Sequence, residues 1–243
     1  MGALSGKVVL ITGASGGIGQ AVALACRAQG AATALHYNRD AAAARKLAKS
    51  LGEDAALFQA DLTRPGSADK LVKAVLRRFG RLDILVNNAG AVGASDDFLV
   101  MTEKNWDATM ALNLRAPFFL ARAAFRAMKP RGGRIINLSS IAVKFGGSAR
   151  SMHYAAAKSG LEATTTALAR FGAPHGILVN TVRPGVIDTP FHGKFRKNMA
   201  VRVAKIPLRR MGRPEDVARM IVFLAGPGGD FVSGQIFSVT GGE

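Results

Sequence analysis

The sequence predicts an α/β domain, a doubly wound sheet of about seven parallel strands with helices on both faces. Three observations lead there. Strand-like runs alternate with helical runs along the chain, the order that pairs strands in parallel. The first strand runs into a glycine-rich loop and then a helix-forming segment, the arrangement a dinucleotide site requires. No linker, internal repeat or low-complexity stretch divides the 243 residues, so one domain over 1–243 is expected.

In chain order, Lys7-Val8-Val9-Leu10-Ile11 reads as a short buried strand. It enters Thr12-Gly13-Ala14-Ser15-Gly16-Gly17-Ile18-Gly19 and then the helix formers from Gln20 to Cys26. Glycines there permit a tight turn and let the backbone approach a pyrophosphate, whose charge sits at the positive end of the helix. Strands are predicted at about 7–12, 32–37, 55–59, 82–87, 133–139, 177–182 and 235–239. Ala41-Ala42-Ala43-Ala44 favours helix after the second strand. Long helices are predicted at about 103–129 and 152–171. Pro117, inside the first of these, has no N–H for the carbonyl of Asn113, which is therefore expected to be free.

The second long helix carries Tyr154 and Lys158, one turn apart on one face. A nearby cation favours phenolate, so the pair predicts a tyrosine pKa lowered from about 10 toward neutrality, where protons exchange readily. Ser139 and Ser140 follow the apolar strand Arg134-Ile135-Ile136-Asn137-Leu138, at the carboxyl end where open α/β sheets bind ligands. Adjacent residues on an extended chain point to opposite sides, so only one serine can face such a site.

Thr12-Gly13-x-x-x-Gly17-x-Gly19, Asn87-Asn88-Ala89-Gly90, Ser140, Tyr154-x-x-x-Lys158 and Pro184-Gly185-x-x-x-Thr189 together resemble the short-chain dehydrogenase/reductase family. Order and spacing match from Lys7 to Gly242, and the 3-oxoacyl-carrier-protein reductases are the related group. The resemblance implies a Rossmann-type oxidoreductase that interconverts a carbonyl and an alcohol by hydride transfer with a nicotinamide cofactor. It implies Tyr154 as general acid for reduction, with Lys158 lowering its pKa and holding the ribose. Ser140 is implied as donor to the substrate carbonyl, and Asn113 as holder of a relay water. The interval from Ser140 to Tyr154 is one residue longer than in many relatives, which points to a bulged substrate loop. Cofactor contacts are implied at Gly13, Ser15, Gly17, Ile18, Gly19, Asn38, Arg39, Asp61, Leu62, Asn88, Ala89, Gly90, Pro184, Gly185, Ile187 and Thr189, besides Tyr154 and Lys158. Asp61 matches the residue on the adenine edge. The resemblance further implies a substrate lid at about 189–213 and a homotetramer with twofold axes. Its interfaces would use the helices near 103–129 and 152–171, and the last strand with the helix near 214–225. Phe118, Phe119, Phe125, Leu161, Leu168, Ile221, Val222 and Phe223 are the apolar surface expected there.

Cofactor choice depends on the end of the second strand. Tyr37 stands where an acid would accept hydrogen bonds from a ribose 2′-hydroxyl, and Arg39 offers a planar cation suited to a 2′-phosphate. Gly16 lacks the cation that many NADP-preferring relatives carry there, and Asp40 adds negative charge. NADP(H) is favoured on balance, with NAD(H) as the alternative.

The chain has 33 basic and 16 acidic residues, a net charge of +17. From Thr109 to Pro214 the only acids are Glu162 and Asp188, while Lys194, Arg196, Lys197, Arg202, Lys205, Arg209, Arg210 and Arg213 crowd the lid segment. Such a field steers anionic substrates, or else records a basic composition bias. An acyl group on an acidic carrier protein fits the first reading. In the carrier-protein reductases basic residues near the active-site entrance dock the carrier; Arg131 matches one, and His175 stands where another is Arg. A free small ketone, sugar or steroid is the alternative substrate. A non-catalytic cofactor-binding protein with a basic interaction surface is the alternative of another class. No nucleic-acid module, membrane span, signal peptide or metal site is expected. The single cysteine, Cys26, cannot form an internal disulfide and reads as packing, which fits a cytoplasmic setting.

Overall fold

The structure, a computed structural model, describes residues 2–93, 97–190 and 199–243. Strands β1 (Val8–Ile11), β2 (Ala32–Tyr37), β3 (Ala55–Gln59), β4 (Ile84–Asn87), β5 (Gly133–Leu138), β6 (Ile177–Pro184) and β7 (Ile236–Val239) form one sheet. Its order is β3-β2-β1-β4-β5-β6-β7, with every neighbouring pair parallel. The predicted strand ends agree within two residues. Every residue of β1 and β4 is buried, because helices cover both faces. Each such Val, Leu or Ile contributes about 1.5–3 kcal/mol by leaving water.

Helices α1 (Gly17–Ala28), α2 (Ala41–Leu51) and α9 (Pro214–Ala225) close one core against the sheet. Helices α3 (Ser67–Phe79), α5 (Ala116–Met128) and α7 (Met152–Gly172) cover the other face, with α3 and α5 supplying most of the second core. The chain moves outward from β1 to β3 and then returns to lay β4 beside β1. That reversal sends the connections after β1 and β4 in opposite directions and opens a crevice beyond their carboxyl ends.

The helix expected at 103–129 is interrupted. It comprises α4 (Glu103–Met110), a π-turn over Ala111–Arg115, and α5. The Ala116 N–H reaches back to the Ala111 carbonyl, one residue wider than an α-turn. Pro117 explains the change of register, since it supplies no N–H to either Leu112 or Asn113 and is tolerated in the first turn of α5. Between β5 and α7 lies the short helix α6 (Ala142–Phe145), and α8 (Met199–Ala204) precedes α9.

Polar side chains link α7 to the sheet beneath it. Asn87 donates to Asn137 at 2.9 Å, Asn137 donates to Thr165 at 2.9 Å, and Thr165 bonds Thr181 at 2.8 Å. Part of the expected interface surface is instead buried within the chain: Phe125 and Ile221 belong to the two cores, and Leu161 of α7 is buried as well. Phe118 and Phe223 are exposed. Arg122 and Arg126 both meet Asp69 of α3, at 2.8 and 3.8 Å, so acids of the same chain already offset these charges. Among the described residues, no helix is long and apolar enough to cross a membrane. Cys26 is buried in the first core, and burial pushes its thiol up to about 12.

Candidate active site

The glycine loop between β1 and α1 is held from below and from both flanks. Asn88, just past β4, donates its side-chain amide to the carbonyls of Thr12 and Gly13 at 2.8 and 3.0 Å. Thr12 Oγ1 in turn accepts the N–H groups of Asn88 and Ala89. Buried His36 accepts the Gly13 N–H on Nδ1 at 3.1 Å and lies 3.0 Å from the Ala60 carbonyl on Nε2. A backbone N–H can only donate and a carbonyl can only accept, so the ring is the neutral Nε2–H tautomer. Burial lowers its pKa, in keeping with that state.

The loop is a cradle that a Cβ would fill. At Gly19 a Cβ would stand 2.3 Å from the Gly13 carbonyl oxygen, and at Gly17 it would stand 2.6 Å from Thr189 Cγ2. Gly13 itself has φ +64, the left-handed region. Main chain is therefore exposed at the amino end of α1, as phosphate binding there demands. Ser15, Gly17 and Ile18 line this turn, and the Ser15 carbonyl is held by Gln20.

The other residues expected to contact a cofactor lie at or after the carboxyl ends of β2, β3 and β6. Asp61 accepts from the Thr63 N–H and hydroxyl at 3.0 and 2.6 Å, and these bonds hold its carboxyl below the usual range. The side chains of Leu62 and Ile187 are in the two cores, and the Ile187 carbonyl accepts the Thr189 hydroxyl at 3.4 Å. Gly185 and Pro184 close the end of β6, where the Pro184 carbonyl accepts the Ile141 N–H at 2.9 Å. Asn38 and Arg39 follow β2, with the Asn38 carbonyl held by Gln59. Asp40 is turned away from them into a cap, accepting the Ala43 N–H at 2.9 Å at the start of α2.

Tyr154, Lys158 and Ser140 meet at the carboxyl ends of β5 and β6. Ser140 hydrogen-bonds the Tyr154 phenol, and its Oγ also accepts the Ala142 N–H at 3.2 Å. Lys158 is buried, donates to the Leu138 carbonyl at 2.7 Å, and stands 5.7 Å from the centre of the Tyr154 ring. Gly90 brings the crevice to this cluster, since a Cβ there would lie 2.8 Å from Asn113 Oδ1 and 3.2 Å from Lys158 Nζ. Asn113 is fully buried; its side chain bonds both main-chain groups of Ala91 and the Thr109 carbonyl. The two serines divide as the extended chain requires. Ser139 turns into the protein and donates to Glu162 at 2.6 Å.

The expected direction of the tyrosine shift is reversed. Burial pushes Tyr154 up to about 12, with the Ser140 hydrogen bond pulling against it, and burial pushes Lys158 down to about 8. The lysine points its charge at a carbonyl and the ring face rather than at the phenol oxygen, so desolvation outweighs the cation. The phenol therefore keeps its proton at neutral pH.

Two expectations about charge also change. Arg131 and His175 sit beside the amino ends of β5 and β6, where the Gly133 N–H bonds the Gly176 carbonyl, whereas Ser140 lies past the carboxyl end of β5. A six-residue strand of about 20 Å separates them, so they do not flank the entrance of their own chain's site. In the lid segment, Arg202 pairs with Glu243 and Arg210 with Asp216, acids from outside the stretch. Lys194, Arg196 and Lys197 lie outside the described residues.

A crevice lined by main-chain donors, beside a buried phenol and lysine and a half-buried serine, defines a nucleotide-dependent oxidoreductase site in class. A family model described as enoyl-(acyl carrier protein) reductase matches residues 13–243. The 3-oxoacyl-[acyl-carrier-protein] reductase of Synechocystis is 38% identical, covering 100% of this chain and 98% of its own. The mouse (3R)-3-hydroxyacyl-CoA dehydrogenase is 37% identical, covering 98% of this chain and 96% of its own. A short chain dehydrogenase from Burkholderia cenocepacia, solved in complex with NADP, superposes with a TM-score of 0.94 at 35% identity, covering 99% of this chain and 98% of its own. The chain belongs to the short-chain dehydrogenase/reductase family.

Proposed function

We propose that this protein is an NADPH-dependent reductase of a 3-oxoacyl thioester, with Tyr154, Lys158, Ser140 and Asn113 as its catalytic set. The observation that carries the reading is the Ser140 hydrogen bond to the buried Tyr154 phenol, one helical turn from the buried Lys158, with Gly90 keeping space open beside that lysine. A bound NADPH would be held at the glycine turn of Gly13, Gly17 and Gly19 and would supply the hydride to the carbonyl carbon. The Ser140 hydroxyl donates to the carbonyl oxygen as negative charge develops on it. The phenol of Tyr154, held protonated by burial, delivers its proton to that oxygen. Lys158, still charged at neutral pH, offsets the charge that this transfer leaves behind. Asn113 fixes the Ala91 segment against the π-turn and so sets the floor beside Lys158.

NADP(H) is favoured because Arg39 follows β2 on the surface while the adjoining acid, Asp40, is engaged in a helix cap. The Burkholderia neighbour bound to NADP supports the same choice. A thioester is favoured by relatives named for carrier-protein and coenzyme A substrates, both anionic, and by the acid-poor stretch before Pro214. The segment at 189–213 serves as the substrate lid of a single domain. A homotetramer in the cytoplasm completes the reading, supported by the exposed Phe118, Phe171, Phe223 and Phe231 on the helices and last turn.

The test is a panel assay of purified protein with NADPH or NADH. It contains 3-oxoacyl groups on carrier protein and on coenzyme A, the matching enoyl thioester, and free ketones. NADPH consumption with a 3-oxoacyl thioester is expected. Turnover of the enoyl thioester alone, or of free ketones alone, contradicts the substrate class.

A further inference from the structure

One of the two acids between Thr109 and Pro214 has an unexpected place. Glu162 lies on α7 one turn beyond Lys158 and is buried. Its Oε1 accepts the Ser139 hydroxyl at 2.6 Å and Arg183 Nε at 2.9 Å, while Oε2 accepts Arg183 Nη2 at 2.7 Å. Ser139 is joined directly to Ser140, and Arg183 directly to Pro184 and Gly185. The Ser139 N–H also bonds the Val182 carbonyl at 2.9 Å. A single carboxylate thus ties together α7 and the carboxyl ends of β5 and β6.

We propose that Glu162 is a positioning residue which, held by Arg183 and acting through Ser139, fixes the Ser140 hydroxyl against Tyr154. The inference rests on the reading of Ser140, Tyr154 and Lys158 as the reacting centre. Stability alone does not call for this arrangement, because an apolar pair of similar volume commonly serves a buried site as well as an ion pair does. What an apolar pair cannot do is hold a neighbouring hydroxyl in one direction. A carboxylate with both oxygens bidentate to a planar guanidinium is a rigid anchor, and Ser139 Oγ is attached to it. Displacement of a reacting group by about an ångström costs around a hundredfold in rate.

The variants are Glu162→Gln, Ser139→Ala and the double change Glu162→Leu with Arg183→Leu. Each is measured for thermal midpoint, NADPH affinity, and kcat and KM with the best substrate of the wild type. A parallel set in a Tyr37→Phe background leaves Tyr154 as the only tyrosine of a chain that has two. There, carbon-13 NMR of the labelled tyrosine ring reads the phenol directly, without substrate. The double variant is expected to keep the wild-type midpoint and NADPH affinity while kcat falls 10- to 100-fold and the Tyr154 resonance moves. Ser139→Ala, which removes one hydrogen bond and no charge, should move the resonance in the same direction with a smaller loss of kcat. A double variant with wild-type kcat and an unmoved resonance overturns the proposal. Should the double variant not fold, an unmoved resonance in Ser139→Ala overturns it equally. Wild-type protein that reduces no carbonyl sinks the proposed function instead, and the resonance still decides whether Glu162 positions Ser140.

Discussion

The two sides of the crevice are built from different materials. On the β1 side the surface offered to a ligand is main chain, kept bare by Gly13, Gly17 and Gly19 and braced by Thr12, His36 and Asn88. On the β5 and β6 side it is side chains, Ser140, Tyr154 and Lys158, held by burial and by hydrogen bonds from behind. The first side fails when an atom is added, and the second when a polar atom is removed. Binding and turnover should therefore separate by position in the crevice.

The largest loss is expected from Lys158→Ala. It removes the cation beside Tyr154 and leaves the Leu138 carbonyl without its donor, so kcat should drop by about 10² to 10⁴. Because burial pushes Lys158 down to about 8, wild-type turnover should decline as pH rises through that value. The folded lysine gives up its proton before the unfolded one does, so its desolvation penalty is full below about 8 and is relieved toward 10.5. Activity falls over that window while this group's contribution to stability improves. A steady-state pH profile beside a thermal melt series checks both directions.

Gly19→Ala probes the opposite side. Its Cβ would meet the Gly13 carbonyl oxygen at 2.3 Å and Ala14 Cα at 2.9 Å, so the loop must shift. Overpacking of this kind costs about 1–3 kcal/mol, which corresponds to roughly 5- to 150-fold in NADPH affinity. Titration calorimetry should show that loss, with kcat at saturating NADPH much less affected. A large fall in kcat with unchanged affinity would erase the distinction between the two sides.

Arg39→Asp is expected to act within the cofactor side alone, shifting the NADPH to NADH ratio of kcat/KM by about tenfold or more. An unchanged ratio makes Arg39 an ordinary surface residue. The smallest effect belongs to the lid. Replacing Arg209 and Arg210 by Ala should raise KM for an anionic thioester about two- to fivefold in low salt and less in high salt. Arg210 is already paired with Asp216 at 3.0 Å, which limits what its loss can do. A KM that ignores both the variant and the salt returns the basic lid to composition bias.

These two materials also explain what the sequence made visible. A cradle of main chain needs glycines at fixed spacing after a strand, so its location is written locally, as are the seven strands. The Tyr154 and Lys158 pair is local too, one helical turn on one face. Their ionisation is not, because the reversed tyrosine shift comes from burial, which only the folded chain supplies. The Glu162–Arg183 link joins residues 21 apart, and His36 meets Gly13 and Ala60 only once β2 lies between β1 and β3. Helical periodicity marked Phe125, Leu161 and Ile221 as apolar without saying whether core or partner would cover them. The π-turn before Pro117 needed the hydrogen-bond register, which a proline alone leaves open.

The claim on which the rest depends is that the Tyr154 phenol gives up its proton during turnover and does nothing essential for holding NADPH. Tyr154→Phe removes one oxygen from a buried ring and tests it on a single preparation, by NADPH titration followed by turnover of a 3-oxoacyl thioester. NADPH affinity within about threefold of wild type, with kcat reduced by about 10² to 10⁴, is the expected result. Near wild-type turnover would contradict the assignment of Tyr154 as the proton donor.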